Sequence, residues 1–473
     1  MTVLAIDQST TSTSAFLYRP DGTSERVFAR DHRQLYPQPG WVEHDAGEIV
    51  GNIRAALRAG KAAGATIFGL GNQGESCLAW DADTRVPLGP IIVWQDTRTT
   101  DTCAALKAAG HAALVRDRAG LQLSPYFSAA KLAWCLAHLP DARALLEAGR
   151  LRLGTSDAYF RDVLTGRFET DVATASRTSL MNLHSGTWDA DLCALFGVPE
   201  SCLPAITDCN GDLGQAEGLA CQSAIVDQQA ALFGHGVEKA GDTKVTFGTG
   251  AFALTLLGST PPAGNTAALP TVAWREAGQM LHYALDGGIF TASSALNWAR
   301  DLGLFRNFSD LAAPEGLPIL ARGLAFVPSL SGLGCPHWDE AAKGGWLGLT
   351  LDTRPQDMVQ AVFEGVALRM AEILQEFERH GPIASPIGVD GGMARNSGFC
   401  QFLADVTGKS LRLSEYPERT ALGVARLAAR ASGGDVAVTA PETILTPQAD
   451  HSRLLAQFTT ARKLVQSWGS GRV

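Results

Sequence analysis

Two short apolar runs flank a turn of small hydroxyl residues in "VLAIDQSTTSTSAFLY", Val3 to Tyr18. Such a run, turn and run predicts a β-hairpin. The pattern returns in "KVTFGTGAFALTLLG", Lys244 to Gly258, where β-branched and aromatic residues flank "GTG". Each hairpin opens roughly half of the chain, which suggests two similar halves meeting between about Gly236 and Gly241. Elsewhere the apolar period is helical. "DAGEIVGNIRAALRAG" puts Ile49, Ile53 and Leu57 on one face, with Asp45 and Glu48 in a capping pattern. "RPQDMVQAVFEGVALRMAEILQEFERHG" is the strongest helix, with Met358, Phe363, Val366, Met370 and Leu374 inward, Pro355 near its start and Gly381 marking its end. "DHSRLLAQFTTARKLVQSW" near the C-terminus also reads as helix, and "TPPAGNTAALP" as an exposed loop. Strands alternating with helices through both halves predict an α/β fold.

A chain of 473 residues exceeds what one core usually supports. We expect two domains, 1–238 and 239–473. A hydrophobic fraction of 46% with 18% charged residues suits a packed protein. The formal charge of -9 argues against nucleic-acid and anionic-membrane surfaces, although local amides and a metal could still hold ATP. Nine scattered cysteines without a CxxC pair read as reduced thiols, not as a disulfide framework or structural zinc site. No apolar run approaches the ~20 residues of a membrane span, and no secretory leader is visible, so a soluble cytoplasmic protein is the expectation.

The first hairpin has chemistry of its own. Asp7 at a strand end can orient water on a Mg²⁺ ion, and Ser9, Thr10 and Thr11 offer hydroxyls and backbone N–H groups to phosphate oxygens. An ordinary serine/threonine turn explains the same residues. Two other motifs mislead. "GLGNQG", Gly69 to Gly74, has the dinucleotide spacing, with Asp96 near the distance of a ribose-binding acid, yet strand and turn follow it, where that site needs a helix. "GKS", Gly408 to Ser410, lacks the earlier glycine of a nucleotide-binding loop, because Leu403 stands there.

Taken in order, "IDQSTT", "YPQPGWVEHD", "NQGES", "IVWQDTRT", "PYFSAAKLAW", "SRTSLMNLHSGTWD", "DQQAALFGHG", "FGTGAFAL", "SGLGCPHWD" and "GVDGGMARNSGFCQFLAD" resemble the glycerol kinase branch of the FGGY carbohydrate kinases. That family lies within the actin-like ATPase superfamily, and the likeness runs from about Val3 to about Gly434. It implies two ribonuclease-H-like domains flanking a catalytic cleft, and ATP-dependent phosphorylation of a small polyol, glycerol above all. It implies Thr10 and Thr11 beside the phosphates, with Gly248, Thr249 and Gly250 as the second phosphate loop. Gly392, Asn396 and Asn297 would lie near the nucleotide; Asn297 stands where the family usually has glutamine. Asp7 would hold the waters of Mg²⁺. Asp227 corresponds to the catalytic base, also near the metal, while a helix N-cap is its plainer reading. Glu75, Tyr126 and Gln228 align with binders of substrate hydroxyls, and Trp94 and Phe252 with aromatic walls. Without the resemblance, Trp94 would read as core. The relatives also suggest a possible homodimer.

Two departures matter. The family's "NQRET" is here "NQGES", so Gly74 replaces an arginine that binds glycerol hydroxyls. Losing charge-assisted bonds of ~1.5–3 kcal/mol weakens glycerol on the order of tenfold to more than a hundredfold. On this reading Gly74→Arg lowers the Michaelis constant for glycerol. Ser14 replaces a second arginine, which removes a cation near the phosphates unless lysine or arginine arrives from elsewhere. The alternatives are a kinase of a tetritol, pentitol or ketose, admitted by the space at Gly74, and a weakly catalytic ligand sensor. A filament or chaperone ATPase lacks support from the acceptor-side residues.

Overall fold

The computed structural model describes residues 1–262, 266–308, 311, 317–438 and 440–471. Both expected hairpins form. Val3–Gln8 pairs antiparallel with Ser12–Tyr18, and Thr243–Phe247 with Ala251–Gly258. Each is the centre of a larger sheet. In the first, strands run Ser24–Asp31, Ser12–Tyr18, Val3–Gln8, Ile67–Asn72 and Leu219–Val226 across the sheet, two antiparallel pairings followed by two parallel ones. In the second, His282–Ile289, Ala251–Gly258, Thr243–Phe247, Ile387–Gly391 and Leu411–Ser414 repeat that order and those senses. The likeness first seen in two hairpins therefore extends to two five-stranded units.

The predicted helices occupy Ala46–Ala62, Pro355–Glu378 and Arg453–Gly469. Asp45 caps the first by accepting from Glu48 N at 2.9 Å, while the Glu48 carboxylate turns outward to Arg33. Ile49, Ile53 and Leu57 are buried, as their spacing requires. In the second, Val366, Met370 and Leu374 are buried and Met358 and Phe363 half-buried. "TPPAGNTAALP" is only in part a loop: residues 263–265 lie outside the described residues, and its end enters the buried strand Leu269–Trp274.

The decoy glycines have a packing role. A Cβ on Gly69 would sit 2.7 Å from Val424 Cγ1, and one on Gly71 2.9 Å from Val424 Cγ2. Glycine there lets the Arg419–Arg430 helix lie directly on the Ile67–Asn72 strand. Asp96 is a structural acid, accepting from Val42 N at 2.7 Å and paired with Arg98. Gly408 ends the Ser397–Thr407 helix in the left-handed conformation (φ 66°) that favours glycine.

That Arg419–Arg430 helix comes from late in the chain yet covers the first sheet. Val3, Ala5, Phe16 and Ile225 share one apolar cluster with Leu254, Leu256, Val424 and Leu427. The two sheets are thus joined by a common core, not by a linker alone.

The C-terminal helix is held by a buried charge cluster. Glu372, 7% exposed, accepts from Arg462 Nε at 2.8 Å and from His337 Nε2 at 3.2 Å, and pairs with Arg369. Burial alone would raise its pKa, but the His337 hydrogen bond and the two arginines hold it down at about 2, from a usual 4.5. A depressed carboxylate stabilises the fold above its unfolded pKa and loses that contribution as pH falls through its folded one. Glu372→Gln should therefore cost about 3–5 kcal/mol at neutral pH by stranding two buried guanidiniums. The difference from the parent in urea unfolding should shrink as pH falls from about 4.5 toward 2.

Candidate active site

Parallel strands bring the candidate residues to one edge. Gln8 and Val226 both lie opposite Asn72 in register, so Asp7, the Gln73–Glu75 turn and Asp227 emerge at the same end of the first sheet. Ligands of α/β sheets bind at such carboxyl ends. In the second sheet Phe247 lies opposite Gly391, which aligns Gly248 with Gly392. Asp227 opens the Asp227–Gly234 helix as its first residue, with Val226 at the cap position. The plainer N-cap reading is therefore corrected: among the described residues Asp227 Oδ1 accepts only from the adjacent Gln228 N, at 2.7 Å.

A small cavity of about 130 Å³ gathers Thr10, Gly74, Glu75, Trp94, Tyr126, Asp227, Gln228 and Phe252 on its walls. These residues come from both halves of the sequence. Trp94 Nε1 donates to Thr10 Oγ1 at 3.1 Å, tying the aromatic wall to the first turn. The Trp94 and Tyr126 rings meet edge-on at 5.5 Å. Lys131, fully buried, donates to the Tyr126 carbonyl at 2.7 Å and the Trp94 carbonyl at 3.4 Å, so one ammonium positions both loops. Glu75 sits in the left-handed region (φ 57°), a strained conformation for a residue with a side chain.

Four lining residues were not singled out from sequence: Arg177, Val226, Gln229 and Asp286. Arg177 donates from Nε to Glu75 Oε1 at 2.7 Å, and its Nη2 lies 3.1 Å from Asp286 Oδ2. Lys244, also unmarked, donates from its buried Nζ to Gln228 Oε1 at 2.7 Å and Thr246 Oγ1 at 3.2 Å. Arg177 is a single charge in a stretch of small residues, and Lys244 lies near the start of an apolar strand shortly after Asp242. Their only sequence signal is that a charge in such a place needs a buried partner.

Two carboxylates at this edge, Asp7 and Asp227, are raised together. Burial, then the charges of Asp227 and Glu418, push Asp7 up to about 7. Burial and then Glu75 push Asp227 up to about 7, against the Gln228 amide and the charges of Lys244 and Arg177. Asp7 Oδ1 is buried without a hydrogen-bond partner among the described residues. Two interacting acids with an orphaned oxygen fit a divalent cation, which usually takes one or two carboxylates and completes its shell with phosphates and water. Among the described residues no group of three or more His, Cys, Asp or Glu side chains could hold a metal without such help. Ser14 faces Asp7 across the hairpin and brings no charge.

A second cavity, about 510 Å³, is lined by Gly392 and Asn396 together with Ser293, Leu296, Phe308 and Phe363. Asn396 caps the Ser397–Thr407 helix through Phe399 N at 2.9 Å and donates to the Leu311 carbonyl at 3.3 Å. Asn297 is exposed and lies outside this lining. The GTG loop is fixed by the next helix: Thr249 O accepts from Ala292 N at 3.0 Å and Ser294 N at 3.2 Å, and Gly248 O from Ser293 N at 3.2 Å. A Cβ on Gly250 would meet the Ile289 carbonyl oxygen at 2.6 Å. Gly248, Thr249 and Thr11 remain exposed at the loop tips.

Residues 2–234 match the N-terminal domain, and residues 243–432 the C-terminal domain, of the FGGY family of carbohydrate kinases. The chain belongs to that family and is a carbohydrate kinase of its two-domain fold. Glycerol kinase from Alkalilimnicola ehrlichii is 40% identical to it over 486 residues, covering 99% of this chain and 98% of that protein. Glycerol kinase 1 from Pseudomonas aeruginosa is 40% identical over 448 residues, 91% of this chain and 90% of that one. Among solved structures, Plasmodium falciparum glycerol kinase with ADP superposes with a TM-score of 0.89 at 27% identity, covering 98% of this chain and 97% of that one. Xylulose kinase from Rhodospirillum rubrum, at 24% identity and a TM-score of 0.87 over 99% and 100% of the two chains, shares the fold. All nine cysteines are free and buried, and among the described residues no helix is long and apolar enough to cross a membrane.

Proposed function

We propose that this kinase transfers the γ-phosphoryl group of ATP to a hydroxyl of glycerol, giving glycerol 3-phosphate and ADP. The observation that carries this reading is the 130 Å³ cavity, where a carboxylate, two aromatic walls and polar edges from both halves surround space for a small polyol. Asp227 accepts the proton of the attacking hydroxyl; the new O–P bond forms as the bond from the γ-phosphorus to the bridging oxygen breaks. Trp94 and Phe252 cover the C–H faces, while Glu75, Tyr126 and Gln228 take hydroxyl hydrogen bonds. Thr10, Thr11, Gly248, Thr249 and Gly250 serve the phosphates, and Gly392 and Asn396 serve the adenosine from the 510 Å³ cavity. Asp7 and Asp227 would hold Mg²⁺, which when bound neutralises charge on the phosphates. Nine unpaired thiols suit a reducing cytoplasm.

A larger polyol or ketose is the second reading. It is favoured by Gly74 and by an adjoining cavity of about 140 Å³ that shares Tyr126, Arg177, Phe252 and Asp286 with the first. ATP-dependent phosphorylation across three- to six-carbon polyols and sugars decides between them. Glycerol should give the highest kcat/KM. A pentitol or ketose ahead of it would select the second reading, and no turnover with any acceptor would remove both.

A further inference from the structure

Position 74 lacks the side chain that the resemblance assigns to hydroxyl binding, yet a guanidinium stands in the same cavity. Arg177 is 5% exposed and lines the walls beside Gly74 and Glu75. Two of its three nitrogens are committed, Nε to Glu75 and Nη2 to Asp286. Its third, Nη1, is buried without a hydrogen-bond partner among the described residues, and so is Asp286 Oδ1. An unmet donor and an unmet acceptor on one ion pair, carried by two residues that line a cavity, are costly unless something completes them.

We propose that Arg177, held by Glu75 and Asp286, is a specificity-determining residue that donates from Nη1 to an acceptor hydroxyl in place of the arginine missing at Gly74. The inference rests on the polyol-kinase reading above. Its geometry differs from that of an arginine at 74. A side chain on Gly74 would start 3.0 Å from Val226 Cγ2, whereas Arg177 is anchored on Glu75 and Asp286 and also lines the adjoining cavity. Asp286 Oδ1 would accept from the same hydroxyl or its neighbour. A guanidinium locked by two carboxylates keeps its planar fork in one orientation, so it selects hydroxyl position and not merely polarity. Burial works against its charge, but Glu75 and then Asp286 more than offset that and keep it cationic.

Arg177→Lys keeps the charge and removes the fork. Its kcat/KM should be compared with that of the parent on glycerol, propane-1,2-diol and propane-1,3-diol, which lack in turn the third and the second hydroxyl. The glycerol penalty should be about ten- to a hundredfold, carried mainly by KM. It should fall to nearly nothing for whichever diol lacks the contacted hydroxyl, with the KM for ATP unchanged. An equal penalty on all three acceptors would overturn the proposal, because Arg177 would then only support Glu75. If the lysine variant does not fold, Gly74→Arg decides, with Gly74→Ala to measure the contact with Val226. Where Arg177 already supplies the donor, the arginine at 74 gives no lower KM for glycerol than the alanine does. A tenfold lower KM would mean that the donor was absent and overturn the proposal. Failure of the parent on every acceptor would instead defeat the functional reading itself.

Discussion

Asp227→Asn should lower kcat by about 10²–10⁴-fold, the range for losing a positioned general base, while the KM for the acceptor changes little. Asparagine keeps the shape and the oxygen that accepts from Gln228 N. It removes the proton acceptor and the negative charge. The same change should leave the melting temperature at pH 8 equal to or above that of the parent. A carboxylate raised from 3.8 to about 7 by burial is a group whose ionised form destabilises the fold at that pH. Steady-state kinetics beside thermal unfolding separate the two effects. A variant with normal kcat and a raised acceptor KM would make Asp227 a binding group and leave the base to be found elsewhere.

The second large effect lies beneath the site. The helix that carries Asp227 crosses the Arg419–Arg430 helix backbone to backbone. A Cβ on Gly423 would stand 1.8 Å from the Ala230 carbonyl oxygen, and one on Gly234 1.9 Å from that of Arg419. No rotamer relieves such contacts, so Gly423→Ala must push the helices apart. Overpacking typically costs ~1–3 kcal/mol; this variant should reach or exceed the upper end, despite alanine's better helix propensity. A shift of about 1 Å at Asp227 should also reduce kcat by about a hundredfold. Gly51→Ala is the control. It lies mid-helix in Ala46–Ala62 with nothing within 4 Å of its Cβ, and should stabilise by about 0.5–1 kcal/mol. If Gly423→Ala behaved like Gly51→Ala, the close crossing would have no part in placing the base.

Much of this was legible in the chain because the signals are local. A turn of small residues between apolar runs marks both hairpins, and a 3.6-residue apolar period marks the helices that start at Ala46, Pro355 and Arg453. The ordered motifs also marked eight residues that share the small cavity. Asn297 shows where a motif stops informing: its neighbour Leu296 lines the nucleotide-side cavity, while helix rotation leaves Asn297 exposed beside that lining. A motif supplies a position, and the helix phase decides where the side chain points.

The sequence alone determined the class of elements and the repeated hairpin, since each depends on neighbours a few positions away. The family resemblance of its ordered motifs pointed to eight residues that line the small cavity. Only the tertiary structure decided that Arg177 stands beside Glu75, 102 residues distant. It also decided that Lys131 holds two aromatic loops, and that Gly69 and Gly71 of the dinucleotide-like motif make room for Val424. A lone buried charge or a glycine at a helix crossing has no period and no local partner. Its meaning is set by atoms that arrive from elsewhere in the chain, where low dielectric and close packing make each unmatched group costly.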